Sequence, residues 1–91
     1  MRSRYTAFTR GDDAYLAATW HASTRPPQVR AGDGTKWLGL QVREHRLLDA
    51  DHAEVEFVAR WRVNGRGGRL HERSRFVREG GRWFYVDGDL L

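Results

Sequence analysis

The chain has 91 residues, and four Trp, four Phe and three Tyr are the large side chains available for its core. Sixteen basic and twelve acidic residues give a formal charge of +4, which permits an anionic partner, although the cations form no dense run of the kind that tracks phosphates. Because no segment approaches the roughly 18 apolar residues of a membrane span or the core of a signal peptide, and cysteine is absent, we expect one small cytoplasmic domain over residues 1–91.

Two short helices are predicted at the amino terminus. The first covers Met1 to Thr9 and the second covers Asp13 to Thr19, with Gly11 between them. Asp12 is placed to cap the second helix, because its carboxylate can accept a hydrogen bond from an amide of the first turn.

An irregular loop and about four antiparallel strands follow. The loop covers His21 to Thr35 and includes a turn at Gly32-Asp33-Gly34. The first strand covers Trp37 to Val42 and continues past Arg43, and the second begins at Glu54. Two helices followed by such a sheet predict an α+β fold in which the helices lie across one face.

Two glycine-containing turns predict the register of the last three strands. A tight turn at Gly80-Gly81 and a longer turn at 64–69 give seven cross-strand pairs: Glu79–Arg82, Arg78–Trp83, Phe76–Tyr85, Ser74–Asp87, Val63–Leu70, Trp61–Glu72 and Phe57–Phe76. One face of the sheet then combines aromatic and polar side chains: Phe57, Ala59, Trp61, Phe76, Trp83 and Tyr85 around Glu72, Ser74 and Asp87.

Five stretches of the sequence resemble the middle domain of the YchJ family of bacterial proteins: MRSRYTAF, DAYLAATWHASTRP, WLGL, VEFVARW and HERSRFVREGGRWFYVDG. The resemblance extends over nearly the whole chain. It implies the cone-shaped α+β fold of the nuclear transport factor 2-like (cystatin-like) superfamily, in which a curved sheet wraps around helices and often leaves a pocket. It supplies a fold and no reaction.

The sequence departs from the family pattern in two places. Family members commonly carry a cysteine-rich SEC-C segment ahead of this domain, proposed to bind zinc and to contact other proteins. Since this sequence has no cysteine, the resemblance carries no zinc role over. Ala22 also stands where the family motif usually has proline.

The polar groups on the aromatic face have two interpretations. They line a pocket for a small ligand, with contacts from Trp61, Glu72, Ser74, Phe76, Trp83 and Tyr85, or they are satisfied partners in a filled core. A carboxylate among aromatic rings is desolvated, so acid–base catalysis by Glu72 or Asp87, with His21 at the mouth of the cone, is the enzyme alternative. The structural interpretation is favoured over catalysis, and the main functional prediction is a small-ligand or protein-binding module.

The opposite face of the predicted sheet mixes basic and apolar residues: Val58, Arg60, Arg73, Arg75, Val77, Phe84 and Val86. A fully solvated face would not need Phe84 and Val86. This face therefore predicts contact with another protein or with a second copy of the chain, unless Asp89-Leu90-Leu91 or a neighbouring loop covers it.

Metal, cofactor and nucleic-acid sites are less favoured. The histidines at 21, 45, 52 and 71 match no metal-binding spacing, and the glycines at 65–68 lack the ending of a phosphate-binding loop. We expect no metal and no cofactor. Arginine contacts to nucleic acid rank third, behind the binding module and the enzyme.

Overall fold

A computed structural model describes residues 2–29 and 35–91, so the turn predicted at Gly32-Asp33-Gly34 lies outside the described residues. In these ranges two helices precede a four-stranded sheet, which is the predicted α+β order. The elements are α1 (Arg2–Arg10), α2 (Asp13–Ala18), β1 (Lys36–Asp49), β2 (His52–Val63), β3 (Arg66–Glu79) and β4 (Arg82–Leu90). The sheet has the order β1-β2-β3-β4, and every neighbouring pair is antiparallel.

The two helices begin and end close to the predicted positions. Asp12 caps α2 as predicted, because its side chain accepts a hydrogen bond from the backbone N–H of Tyr15 at 3.0 Å. Leu16 of α2 is fully buried and clusters with Ala7 of α1. Within residues 2–29 and 35–91, no helix has the length and apolar character needed to cross a membrane.

The helices cover the inner face of the sheet, which carries the buried cluster Val55, Phe57, Ala59 and Phe76. Trp37 of β1 meets the rings of Tyr5 and Phe8 of α1, at centroid distances of 6.1 and 6.0 Å. β1 continues past Arg43 as predicted, and its register against β2 shifts at three places. Such bulges bend and twist a strand, which allows this sheet to curve around the helices.

The predicted register of β3 against β4 is confirmed near the turn and wrong beyond it. The pairs Glu79–Arg82, Arg78–Trp83 and Phe76–Tyr85 are present. An irregularity between Arg75 and Phe76 then shifts the pairing by one residue, so Ser74 lies opposite Gly88 instead of Asp87. A shift by one residue exchanges the faces of the sheet, and Asp87 therefore lies beside Arg75 on the outer face.

The predicted register of β2 against β3 is wrong. Val63 pairs with Arg66 instead of Leu70, so Trp61 lies opposite Gly68 and Phe57 lies opposite Glu72. The cause is the turn, which consists of Asn64-Gly65 alone, both with positive φ (50° and 78°), as in tight hairpins. Because the shift from Leu70 to Arg66 is an even number of residues, each side chain still lies on its predicted face.

Candidate functional site

A cavity of about 410 Å³ lies between the helices and the inner face of the sheet. We call it the inner cavity. Its apolar wall comes from the sheet: Leu47, Ala53, Val55, Phe76 and Trp83. Its polar groups come from both helices, the end of α2 and β1: Ser3, Arg4, Tyr15, Thr19 and His45.

A second, smaller cavity of about 110 Å³ shares Arg4 with the inner cavity. Its other lining residues include two of the predicted polar groups and several rings: Glu72, Ser74, Phe57, Trp20 and Tyr85. The predicted ligand contacts are therefore divided, with Phe76 and Trp83 at the inner cavity and Glu72, Ser74 and Tyr85 at the smaller one.

Arg4 is the charged group common to both cavities, and it is only 5% exposed. Its Nη1 donates to the carbonyl oxygen of Leu16 at 3.2 Å and to Oγ1 of Thr19 at 2.6 Å. Its guanidinium carbon lies 4.7 Å from the ring centroid of Tyr85 and 5.6 Å from that of Trp20. No carboxylate of residues 2–29 and 35–91 forms an ion pair with it.

The surroundings of Arg4 act on the pKa of its guanidinium in opposite directions. Burial lowers the pKa of the Arg4 guanidinium, and the nearby Tyr85, Tyr15 and Glu72 oppose that effect. An arginine remains protonated in proteins at neutral pH. The site therefore contains a buried positive charge that contacts aromatic faces and neutral oxygens and lies near the Glu72 carboxylate, without a directly bonded anion of the described chain.

Glu72 and Ser74 form a hydrogen-bonded pair at the smaller cavity. Ser74 is fully buried, and its Oγ donates to Oε2 of Glu72 at 2.5 Å. The carboxylate also lies against Gly88, where a Cβ atom would be only 2.5 Å from the same Oε2. Glycine at position 88 therefore makes the space that this carboxylate occupies.

Tyr85 is held between rings from different elements. Its ring centroid is 5.8 Å from that of Phe76 and 5.1 Å from that of Trp20. Two backbone hydrogen bonds hold Trp20 beside Tyr85. The N–H of Tyr85 donates to the carbonyl oxygen of Thr19, and the carbonyl oxygen of Tyr85 accepts a hydrogen bond from the N–H of His21, both with N···O distances of 2.7 Å. Burial, followed by the charge of Glu72, raises the pKa of Tyr85 to about 12.

Three of the predicted site residues lie away from both cavities. Asp87 is exposed and pairs with Arg75 on the outer face, because of the shifted register described above. Trp61 packs its ring over Gly68, where a Cβ atom would be 2.3 Å from the indole. His21 pairs with Glu79 at 2.8 Å, and its ring lies 6.2 Å from that of Phe84.

The sequence analysis missed Arg4 and His45. Arg4, Ala7 and Phe8 have the i, i+3, i+4 spacing of one helix face, and both Arg4 and Ala7 are buried. A cation at the first position of an otherwise apolar face was the available signal. His45 gave no such signal, because polar and apolar residues do not alternate in the part of β1 beyond Arg43.

On the outer face, the predicted contact residues have different surroundings. Arg73 pairs with Glu56 at 3.2 Å, and Arg75 pairs with Asp87 and Asp89. Hydrogen bonds from His71, and then from Arg73, lower the pKa of Glu56. The hydrogen bonds that Arg75 donates to Asp89 and then to Asp87 raise the pKa of its guanidinium.

The segment after α2 covers part of the same face. The ring of His21 contacts Phe84, and the hydroxyl of Thr24 donates to the carbonyl oxygen of Val86 at 2.6 Å. Phe84, Val86 and Val77 are half-buried. The loop predicted as an alternative cover therefore contacts the Phe84 ring and the backbone of Val86. In the described part of the chain, no group of three His, Asp or Glu residues is arranged to hold a metal ion.

Comparison with known proteins agrees with this architecture. Residues 1–88 match the family model described as YchJ, middle NTF2-like domain. A UPF0225 protein of Polaromonas naphthalenivorans is 71% identical over 89 residues, which is 98% of this chain and 65% of that protein. A UPF0225 protein of Methylibium petroleiphilum is 60% identical over 91 residues, or 99% of this chain and 67% of that protein.

A solved structure is similar as well. It is the solution structure of a SEC-C motif containing protein from Rhodopseudomonas palustris, with a TM-score of 0.85 and 30% sequence identity. The similarity covers 100% of this chain and 75% of that chain. The chain thus spans about two thirds of the length of its curated relatives, whose names assign no activity.

Proposed function

This chain belongs to the YchJ family, as its middle NTF2-like domain, and from that premise we propose that it is a ligand-binding module. The ligand of the inner cavity is a small, mostly apolar molecule that carries a carboxylate. We place this activity in the cytoplasm, a reducing compartment that suits a cysteine-free chain.

The observation that carries the proposal is the buried guanidinium of Arg4 beside an apolar cavity. Burying a cation without an anionic partner is unfavourable, since the charge loses its hydration. The hydrogen bonds of Arg4 within the described chain leave from Nη1, so its other N–H groups can donate to a ligand. A carboxylate matches the fork of a guanidinium and forms charge-assisted hydrogen bonds with it.

The dimensions and walls of the inner cavity support the same ligand class. Its volume of about 410 Å³ lies within the range of small-molecule sites, about 300–1,000 Å³. Leu47, Val55 and Phe76 offer apolar contact to the body of the ligand. His45 adds a second hydrogen-bonding group on the wall.

This geometry favours binding over the acid–base alternative. Catalysis by two neighbouring carboxylates requires Glu72 and Asp87 in one pocket, but they lie on opposite faces of the sheet. Asp87 is engaged by Arg75, and Glu72 accepts a hydrogen bond from the Ser74 hydroxyl. The enzyme alternative therefore lacks its second carboxylate.

The test is an NMR titration of the Trp83 indole with 4-phenylbutyrate and with its amide, 4-phenylbutanamide. We expect the carboxylate to bind at least about tenfold more tightly, since a hydrogen bond to a charged group contributes about 1.5–3 kcal/mol. Arg4→Gln should remove this preference. Arg2→Gln, an equal change of charge at an exposed position of the same helix, should preserve it. Equal binding of acid and amide, or no shift of the Trp83 indole, would show that the proposal is wrong.

A further inference from the structure

The outer face of the sheet divides into two electrostatically different ends. At one end, like charges lie directly opposite each other on neighbouring strands: Arg60 faces Arg69, and Lys36 faces Arg62. At the other end, arginines face carboxylates, as Arg73 does with Glu56 and Asp89, and the like-charge pair of Glu44 and Glu56 is neutralised by ion pairs with Arg46 and Arg73. Like charges in such positions destabilise a sheet, whereas opposite charges stabilise it.

Four arginines at the first end surround a groove of about 440 Å³: Arg43, Arg60, Arg62 and Arg69. We call it the arginine groove. None of these four forms an ion pair with a carboxylate of residues 2–29 or 35–91. The arginine groove therefore carries positive charge that no ion pair with a carboxylate of the described residues neutralises.

We propose that the arginine groove binds an acidic polypeptide segment of a partner protein. Guanidinium groups accept carboxylates in paired hydrogen bonds, so four of them suit several Glu or Asp side chains. Leu38, which is 47% exposed, lines the same groove and offers apolar contact between the charges, whereas Val58, also in the lining, is buried. This site is on the opposite face from the inner cavity and does not depend on the ligand proposed there.

The groove suits an acidic peptide better than a nucleic acid. Single-stranded nucleic acids bind through aromatic platforms on which their bases stack. Trp61 is the one aromatic residue among the described residues that line this groove, and its ring packs against Gly68, so these residues offer no row of rings on which successive bases could stack. Along β2 the positive charge also ends at Glu56 and Glu54, whose carboxylates would repel a continuing chain of phosphates.

A second copy of this chain is also a poor occupant. The carboxylates of the outer face are largely used within the chain itself, in pairs such as Glu44 with Arg46 and Glu56 with Arg73. Asp87 and Asp89 are engaged by Arg75. A symmetric partner would therefore bring few free carboxylates to the groove, and a separate acidic segment provides the missing charge.

The test measures fluorescence anisotropy with a labelled peptide in which glutamates alternate with serine and leucine. Its matched control replaces every glutamate with glutamine, and an oligothymidylate of equal length represents nucleic acid. We expect the acidic peptide to bind at least about tenfold more tightly than either probe, with an affinity that falls as salt rises. Tighter binding of the oligothymidylate, or equal binding of the neutral peptide, would overturn the proposal.

Two double variants locate the binding. Arg60→Gln with Arg69→Gln should lower the affinity for the acidic peptide by about tenfold or more, since this double variant removes two charge-assisted contacts. Arg10→Gln with Arg82→Gln makes the same change of charge at exposed positions outside the groove and should leave the affinity nearly unchanged. The first variant should melt no lower than the parent, because it removes a like-charge pair. Equal affinities of the two variants would overturn the proposed site.

Discussion

The guanidinium carbon of Arg4 lies 4.7 Å from the ring centroid of Tyr85, so a cation of α1 and a phenol of β4 meet in the interior. These two residues join the helices to the last strand. Both have perturbed protonation for the same first reason, which is burial. A buried arginine in such a contact can have two roles: it can stabilise the fold, or it can bind an anion.

Replacement of Arg4 by Met tests which role dominates. Met preserves much of the volume and removes the desolvation cost of a buried charge that has no directly bonded carboxylate in the described chain, which should offset the lost hydrogen bonds to Leu16 and Thr19. We therefore expect the free energy of unfolding, measured by urea denaturation, to stay within about 1 kcal/mol of the parent or to rise. A loss above about 2 kcal/mol would indicate that the cation–π and hydrogen-bond contacts of Arg4 primarily hold the fold together.

Tyr85 predicts a loss of stability at high pH. Its pKa of about 12 in the folded protein exceeds the value near 10 expected for an unfolded chain. The folded state therefore holds this proton more tightly, so the stabilisation is complete below pH 10 and is lost as the pH rises from about 10 to 12. Unfolding free energies across this range should fall less steeply for Tyr85→Phe than for the parent. Parallel curves would contradict the assigned pKa.

Gly88 and Glu72 should show strong coupling in a double-mutant cycle. Gly88→Ala places a methyl group where Oε2 of Glu72 now lies, and overpacking of this kind costs about 1–3 kcal/mol. Glu72→Ala removes the obstructing carboxylate, so the double variant should lose less stability than the sum of the single variants. Gly39→Ala is the matched control, since nothing lies within 4 Å of a Cβ atom there. Additive losses would mean that Glu72 moves aside easily.

Local features of the sequence were sufficient to predict the elements. Asp12 before a helical pattern predicted the cap of α2, and Gly80-Gly81 between alternating runs predicted the β3–β4 turn. Both predictions depend on a few neighbouring residues whose conformational preferences are strong. The alternation in β2 likewise predicted that Val55, Phe57 and Ala59 share the buried face.

The positions of the site residues depend on structural features that the local sequence indicates only weakly. Between β2 and β3 the sequence has glycines at positions 65, 67 and 68, so the position of the turn is ambiguous. The prediction of a six-residue connection at 64–69 was wrong, because Asn64-Gly65 alone forms the turn. The irregularity between Arg75 and Phe76 has no sequence mark, yet it moves Asp87 to the outer face. The burial of Arg4 depends on contacts with distant parts of the chain, namely Leu16, Thr19 and the ring of Tyr85, which alternation within a strand does not report.

The ion pairs of Arg75 predict the behaviour of the protein in acid. Hydrogen bonds from Arg75 lower the pKa of Asp89 below its usual value, so this carboxylate stabilises the fold above the unfolded pKa, near 3.9. That stabilisation is lost as the pH falls through the lower folded pKa. Asp89→Asn should therefore be less stable than the parent at neutral pH, with the difference shrinking towards pH 2 in thermal melts. A difference for Asp89→Asn that persists unchanged in acid would show that the charge of Asp89 is not what stabilises this end of the sheet.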